Sequence, residues 1–162
     1  YNMSDIIRIK DVIEERNVMR GEKDYTDTLL QGGNTLCYIK TRFLTKRNRE
    51  TMDWLFACLR DSVLIVPSLP ISGRPDLLED ETGSKYLPVF SQEEQMPRDY
   101  ITEFDLRYMD FDECLSLAKS IPQVVGITLD AFSSPLDISF EMAEVIIRTP
   151  SRRHPDEKED GK

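Results

Sequence analysis

The chain has 162 residues, 40% of them hydrophobic and 31% charged, with a formal net charge of −9. That balance fits one soluble globular domain and excludes a chain disordered throughout. The longest apolar run, Trp54 to Leu59, falls far short of the roughly 20 residues that span a bilayer, no leader is visible at Tyr1, and a cytoplasmic location is expected by default.

The charge is uneven. Residues 1–60 carry a balance of +2 and residues 61–162 one of −11. An acidic body repels phosphate, which argues against nucleic acid and anionic membranes as partners. One basic stretch stands out, with Lys40, Arg42, Lys46, Arg47 and Arg49 and no acid among them. It reads as a solvated helix entry or as a docking patch for an acidic partner. Cys37, Cys58 and Cys114 are odd in number and widely spaced, which argues for reduced, mostly buried thiols over a disulfide framework.

In chain order, Ser4 to Met19 places Ile6, Ile9, Val12 and Ile13 near helical spacing, between a capping Ser4 and a closing Gly21. A short segment, Tyr25 to Gln31, ends at the break Gly32-Gly33-Asn34. Thr35 to Leu44 mixes apolar and basic residues and reads as a strand. Thr45 to Arg60 is an amphipathic helix, with Met52, Leu55, Phe56 and Leu59 at i, i+3, i+4, i+7. Trp54 is expected at the edge of that stripe, because a buried indole needs a partner for its N–H. Val63 to Pro67 is a strand. Ser68 to Ser84 reads as a long loop joining it to a paired strand, Lys85 to Phe90, where Pro88 predicts an edge position or a bulge.

Ser91-Gln92-Glu93-Glu94 has the form of a capping box before a short helix stopped by Pro97. Ile101 to Met109 reads as an irregular strand in which Phe104, Leu106 and Tyr108 alternate. Asp110 and Glu113 form a second capping box, with Met109 and Cys114 as its hydrophobic staple, ahead of a helix ending before Pro122. Val124 to Leu129 is a strand, Asp130 to Pro135 a turn, and Leu136 to Phe140 a further short strand. Ser139 caps a last helix reaching Arg148, and the charged residues from Pro150 onward read as a disordered tail. The fold class expected is α+β: a small mixed or antiparallel sheet of about four to five strands packed by helices.

The stretch from Met52 to Ile147 resembles the N-terminal domain of the SseB (enhanced serine sensitivity) family. The matching residues are Leu64-Ile65-Val66-Pro67, Lys85-Tyr86-Leu87-Pro88-Val89-Phe90-Ser91 with Glu93-Glu94, and Ile138-Ser139-Phe140-Glu141. The resemblance implies an SseB-like domain over residues 45–149, an N-terminal extension over 1–44, helical then with a strand, and a tail over 150–162. Family members often carry Asn-Pro after the third strand, where this chain has Asp130-Ala131. The resemblance brings no reaction, cofactor or catalytic residue.

Little in the residues points to chemistry. His154, the one histidine, lies in the tail, which removes Ser–His and Cys–His schemes from the folded region. Gly32-Gly33 lacks the Lys and Ser/Thr of a phosphate loop, and the cysteines lack zinc-ligand spacing. Glu79, Asp80 and Glu81, and Asp110, Asp112 and Glu113, do not match a calcium loop. No enzyme, cofactor or metal is therefore expected. The function expected is a protein-interaction module, with a small-ligand (amino-acid) sensor as the alternative and a carboxylate-based enzyme third. The candidate interaction surface is Lys85, Tyr86, Pro88 and Val89 on the proline-bearing strand, with Phe132 in the following turn. The expected partner is another protein, a second copy of this chain among the options.

Overall fold

The protein is described here by a computed structural model over residues 25–154. The predicted Ser4–Met19 helix and the tail beyond His154 lie outside those residues. The described chain is α+β, as expected. It contains a four-stranded sheet, a two-stranded ribbon and a short parallel pair, packed by helices.

β1 (Tyr25–Thr26) leads into α1 (Asp27–Leu30) and a 3-10 turn, Gln31–Gly33. Gly32 and Gly33 both have φ near +78°, and this is the break the sequence signals. The next segment corrects the predicted strand: residues Asn34–Thr45 form a helix, α2. Its buried side chains include Leu36, Ile39, Lys40 and Phe43, spaced i, i+3, i+4, i+7, so a lysine occupies one position of the core stripe. Leu36, Ile39 and Phe43 share the main core with side chains of α3.

α3 (Arg49–Asp61) starts later than Thr45 because Asn48 caps it. Its Oδ1 accepts the Thr51 N–H at 2.9 Å, and Thr51 Oγ1 accepts the Asn48 N–H at 3.2 Å. Leu55, Phe56 and Leu59 are buried as the stripe requires, each worth roughly 1.5–3 kcal/mol of burial. Trp54, expected at the edge, is 1% exposed and meets Tyr38 of α2 edge-on at 6.0 Å. The helix–helix interface, absent from any single-helix argument, is what covers it.

β2 (Val63–Ser68) pairs antiparallel with β5 (Asp105–Asp110) over all six residues, Val63 opposite Asp110 and Ser68 opposite Asp105. The predicted pairing of β2 with β4 (Lys85–Val89) is reduced to one bridge, Ile65 with Phe90, whose N–H···O bonds are 2.8 and 2.9 Å. The loop between them contributes β3 (Leu78–Glu79). The main sheet has the order β3-β4-β6-β7, with β6 at Val124–Leu129 and β7 at Leu136–Ser139. β4 and β6 run parallel and the other pairs antiparallel. β4 thus lies between β3 and β6 and is not an edge strand of the sheet, although at Pro88 itself only β6 is paired. β3 opposes only Lys85 and Tyr86, and the register shift falls between those two residues. Pro88 stands past the end of β3, with β6 as its ladder neighbour, which accommodates a residue without an amide hydrogen.

The short helix expected to stop at Pro97 is the 3-10 turn Glu93–Gln95, which ends before that proline, and α4 (Arg98–Ile101) begins directly after it. α5 (Phe111–Lys119) carries the predicted capping box of Asp110 and Glu113, at 2.8 and 2.9 Å, and α6 (Phe140–Arg148) is capped by Ser139. The predicted tail is corrected in its first residues: β8 (Arg153–His154) pairs parallel with β1. The main core gathers Leu and Phe side chains from α2, α3 and α5 with Leu87, Val89, Ile127 and Leu129 of the sheet. A second cluster, Ile65, Phe90 and Met96, lies on the other side of β2. Alternation along the strand explains the split, since Leu64 and Val66 face one core and Ile65 the other.

Candidate functional site

Residues of one strand face that line up across a ladder share a surface. Val63 and Ile65 of β2 alternate to the same side, and Tyr108 of β5 stands directly opposite Ile65. These three form part of the floor of a groove of about 700 Å3. Ile65 is nearly buried, whereas Val63 and Tyr108 are each 58% exposed. The other walls come from the α1 end of the chain, from Asp61 at the end of α3, and from the 3-10 turn Glu93–Gln95 with the residues before it.

The walls are held by specific contacts. The Tyr108 hydroxyl donates to Glu93 Oε2 at 3.0 Å, and this bond to a carboxylate raises the phenol's pKa. Asp61 Oδ2 accepts the Tyr25 hydroxyl at 2.8 Å and the Arg152 N–H at 3.1 Å. Burial pushes the Tyr25 phenol well above its ordinary range, so it stays a donor to Asp61. Arg153 Nε meets Asp27 at 3.2 Å. Gln92 Nε2 bonds both the Gly32 carbonyl and Asn34 Oδ1 at 2.8 Å, which fastens the glycine turn to the strand-end segment. Gly33 is held so close that a Cβ there would lie 2.1 Å from the Ser91 carbonyl oxygen. Only glycine combines that approach with φ near +78°.

Behind the groove wall lies a buried polar network at the carboxyl ends of the parallel strands β4 and β6. Asp130, with φ 54°, is fully buried. Its Oδ1 accepts the Ser91 N–H at 2.9 Å; its Oδ2 accepts the Ser91 hydroxyl at 2.8 Å and Lys40 Nζ at 2.7 Å. Lys40 also donates to the Ser134 carbonyl at 2.8 Å. Ser91 was expected to cap a helix, but the turn that follows starts one residue later, from Gln92 and without a side-chain cap, and the Ser91 hydroxyl is turned toward Asp130, to which it donates. Cys37 Sγ lies 3.0 Å from Ser91 Oγ, and burial pushes its thiol up, which makes the S–H the donor of that contact. Cys58 and Cys114 are both pushed up to about 12 by burial, and all three cysteines are free.

The expected interaction residues do not converge. Val89 is fully buried and Pro88 is buried, so neither is presented to a partner; the internal position of β4 is the reason. Lys85 and Tyr86 are half-buried at the start of β4, while Phe132 follows the end of β6, at the opposite end of the β4–β6 ladder. Phe132 is 46% exposed, as a loop aromatic was expected to be, with its ring stacked on Phe90 at 6.0 Å and against Tyr100 at 4.9 Å. In the basic stretch, Lys40 leaves the surface for Asp130, whereas Arg42, Lys46, Arg47 and Arg49 are exposed.

The acidic run beside β3 folds on itself: Asp80 Oδ1 accepts the Thr82 hydroxyl at 2.7 Å and the Thr82 and Ser84 N–H groups at 2.9 and 3.0 Å. Those bonds, the Thr82 hydroxyl first, lower the Asp80 pKa. Among the described residues no group of three or more metal-ligating side chains converges, and no helix is long and apolar enough to cross a membrane. Searches against family models, curated proteins and solved structures return no match.

Proposed function

We propose that this chain is a non-catalytic, cytoplasmic interaction module of the SseB-like type, and that another protein docks on the β2–β5 ribbon. One observation carries this reading. Among the described residues β5 has β2 as its single ladder partner, so its far edge is open to an added strand. Tyr108 on this strand is exposed and lines the groove. The edge role assigned to β4 from its proline passes to β5, in which the charged Asp105 and Arg107 alternate with Leu106 and Tyr108. The non-catalytic part is supported by the state of one nucleophilic group. Burial raises the Cys37 thiol, the reverse of activation.

The test is capture from a lysate with the full chain carrying a photo-crosslinking residue at position 108, beside a control carrying it at Val125. Specific partners should appear at 108 and vanish when Leu106→Pro removes an amide hydrogen that β5 points away from β2. Identical partner sets at the two positions would remove the reading. A small-ligand sensor is the second reading, favoured by a groove volume within the range of small-molecule sites. A thermal-shift screen over the amino acids tests it, since a ligand at about 100 times its Kd stabilises by ~2.7 kcal/mol. A flat screen would dismiss it.

A further inference from the structure

The groove on the β2–β5 ribbon has a chemistry that selects its occupant. Its lining includes four carboxylates, Asp27, Asp61, Glu93 and Glu94, against one guanidinium, that of Arg153, which is paired with Asp27. The whole chain adds to this field with its net charge of −9. The acids do not form a bare cluster. They rim an apolar floor of Val63, Ile65 and Leu30, and the exposed ring of Tyr108 stands among them, oriented by its bond to Glu93.

We propose that the groove seats a lysine or arginine side chain presented by an extended segment of the partner protein. This rests on the reading of the ribbon as the docking site and names the chemistry of what docks. A long basic side chain matches each part of the surface. Its methylenes cover Val63 and Leu30, its charge lies among Asp61, Glu93 and Glu94, and its head crosses the Tyr108 ring as a cation–π contact. A carboxylate offers about four acceptor positions. The bonds from Tyr25 and Arg152 both fall on one oxygen of Asp61, so its fixed orientation is compatible with a further donor. An anionic or purely apolar segment would meet repulsion or unsatisfied desolvation at the same rim. The open β5 edge supplies the backbone register that delivers the side chain to the groove.

Fluorescence anisotropy on the full chain provides the test, with three labelled octapeptides as probes: alternating valine with lysine, with glutamine or with glutamate. The lysine peptide should bind, the glutamate peptide should not, and the double variant E93Q/E94Q should weaken the lysine peptide about tenfold. Both glutamates are exposed, so that variant should keep its melting temperature. Raising the salt from about 0.05 to about 0.5 M should weaken binding in the wild type more than in the variant.

Equal binding of the glutamine and lysine peptides would overturn charge recognition and leave docking on β5 standing. Lysine-peptide binding unchanged by both E93Q/E94Q and D61N would also overturn it, by placing the cation elsewhere on the acidic surface. Binding that appears only after residues 1–24 are removed would identify the chain's own N-terminal segment as occupant and overturn a foreign partner. If no peptide binds and the crosslinker at position 108 captures nothing, this inference and the docking reading fall together.

Discussion

Two sets of carboxylates, separated by one strand end, illustrate opposite uses of the same group. Asp130 is fully buried, and its bonds to Lys40 and to the amide and hydroxyl of Ser91 tie α2 to the ends of β4 and β6. Glu93 and Glu94 lie a few residues further along the same segment and are exposed on the groove rim. A buried carboxylate is tolerated only when partners satisfy it, so Asp130 is spent on internal order. An exposed one costs little to keep and remains open to an incoming donor. The difference teaches that exposure and bonding, rather than residue type, separate a fastening from a receptor.

That contrast can be broken by measurement, and the largest effect belongs to its buried half. Asp130→Ala leaves Lys40 charged without its partner, and urea unfolding should show a loss of about 3–5 kcal/mol. A loss below about 1 kcal/mol would show that Lys40 finds another route to solvent and that the two sets are not distinct. Next comes the hinge between the sets. Gly33→Ala forces a Cβ against the Ser91 carbonyl at positive φ, and a loss of about 2 kcal/mol or more is expected by the same method. Asp110→Ala removes the cap of α5, away from both sets, and should cost about 1 kcal/mol. The smallest change is Glu93→Gln, whose stability should stay within about 0.5 kcal/mol of wild type by thermal melting. A larger loss would mean that the Tyr108 bond is a fastening after all.

The parts of this fold written in local patterns were legible in the sequence. The stripe of α3, the capping box at Asp110, the strand Val124–Leu129 and the Ser139 cap depend on residues a few positions apart. What was obscured depends on distant partners. α2 reads locally as a strand because apolar and basic residues mix along it and Lys40 interrupts its apolar stripe. The lysine's reason, Asp130, lies 90 residues away. Ser91 heads a motif that satisfies the rule for a cap, yet the turn begins at Gln92 and the Ser91 side chain is oriented toward Asp130, 39 residues away. The indole N–H argues for an edge position of Trp54, and nothing local shows that α2 covers it. The groove acids were visible as residues, but not their meeting, since Asp27, Asp61 and Glu93 come from three separate segments. A lysine at an apolar heptad-like position was the one signal that pointed to the buried network.

The parallel pairing of Tyr25–Thr26 with Arg153–His154 has a mechanical consequence. Because the two strands point the same way, tension applied before Tyr25 and after His154 pulls them lengthwise past each other. The ladder is then loaded in shear, with its bonds sharing the force, instead of opening one bond at a time. Asp61 holds Tyr25 and Arg152 together, and Asp27 holds Arg153, so the same load passes directly through the carboxylates that rim the groove.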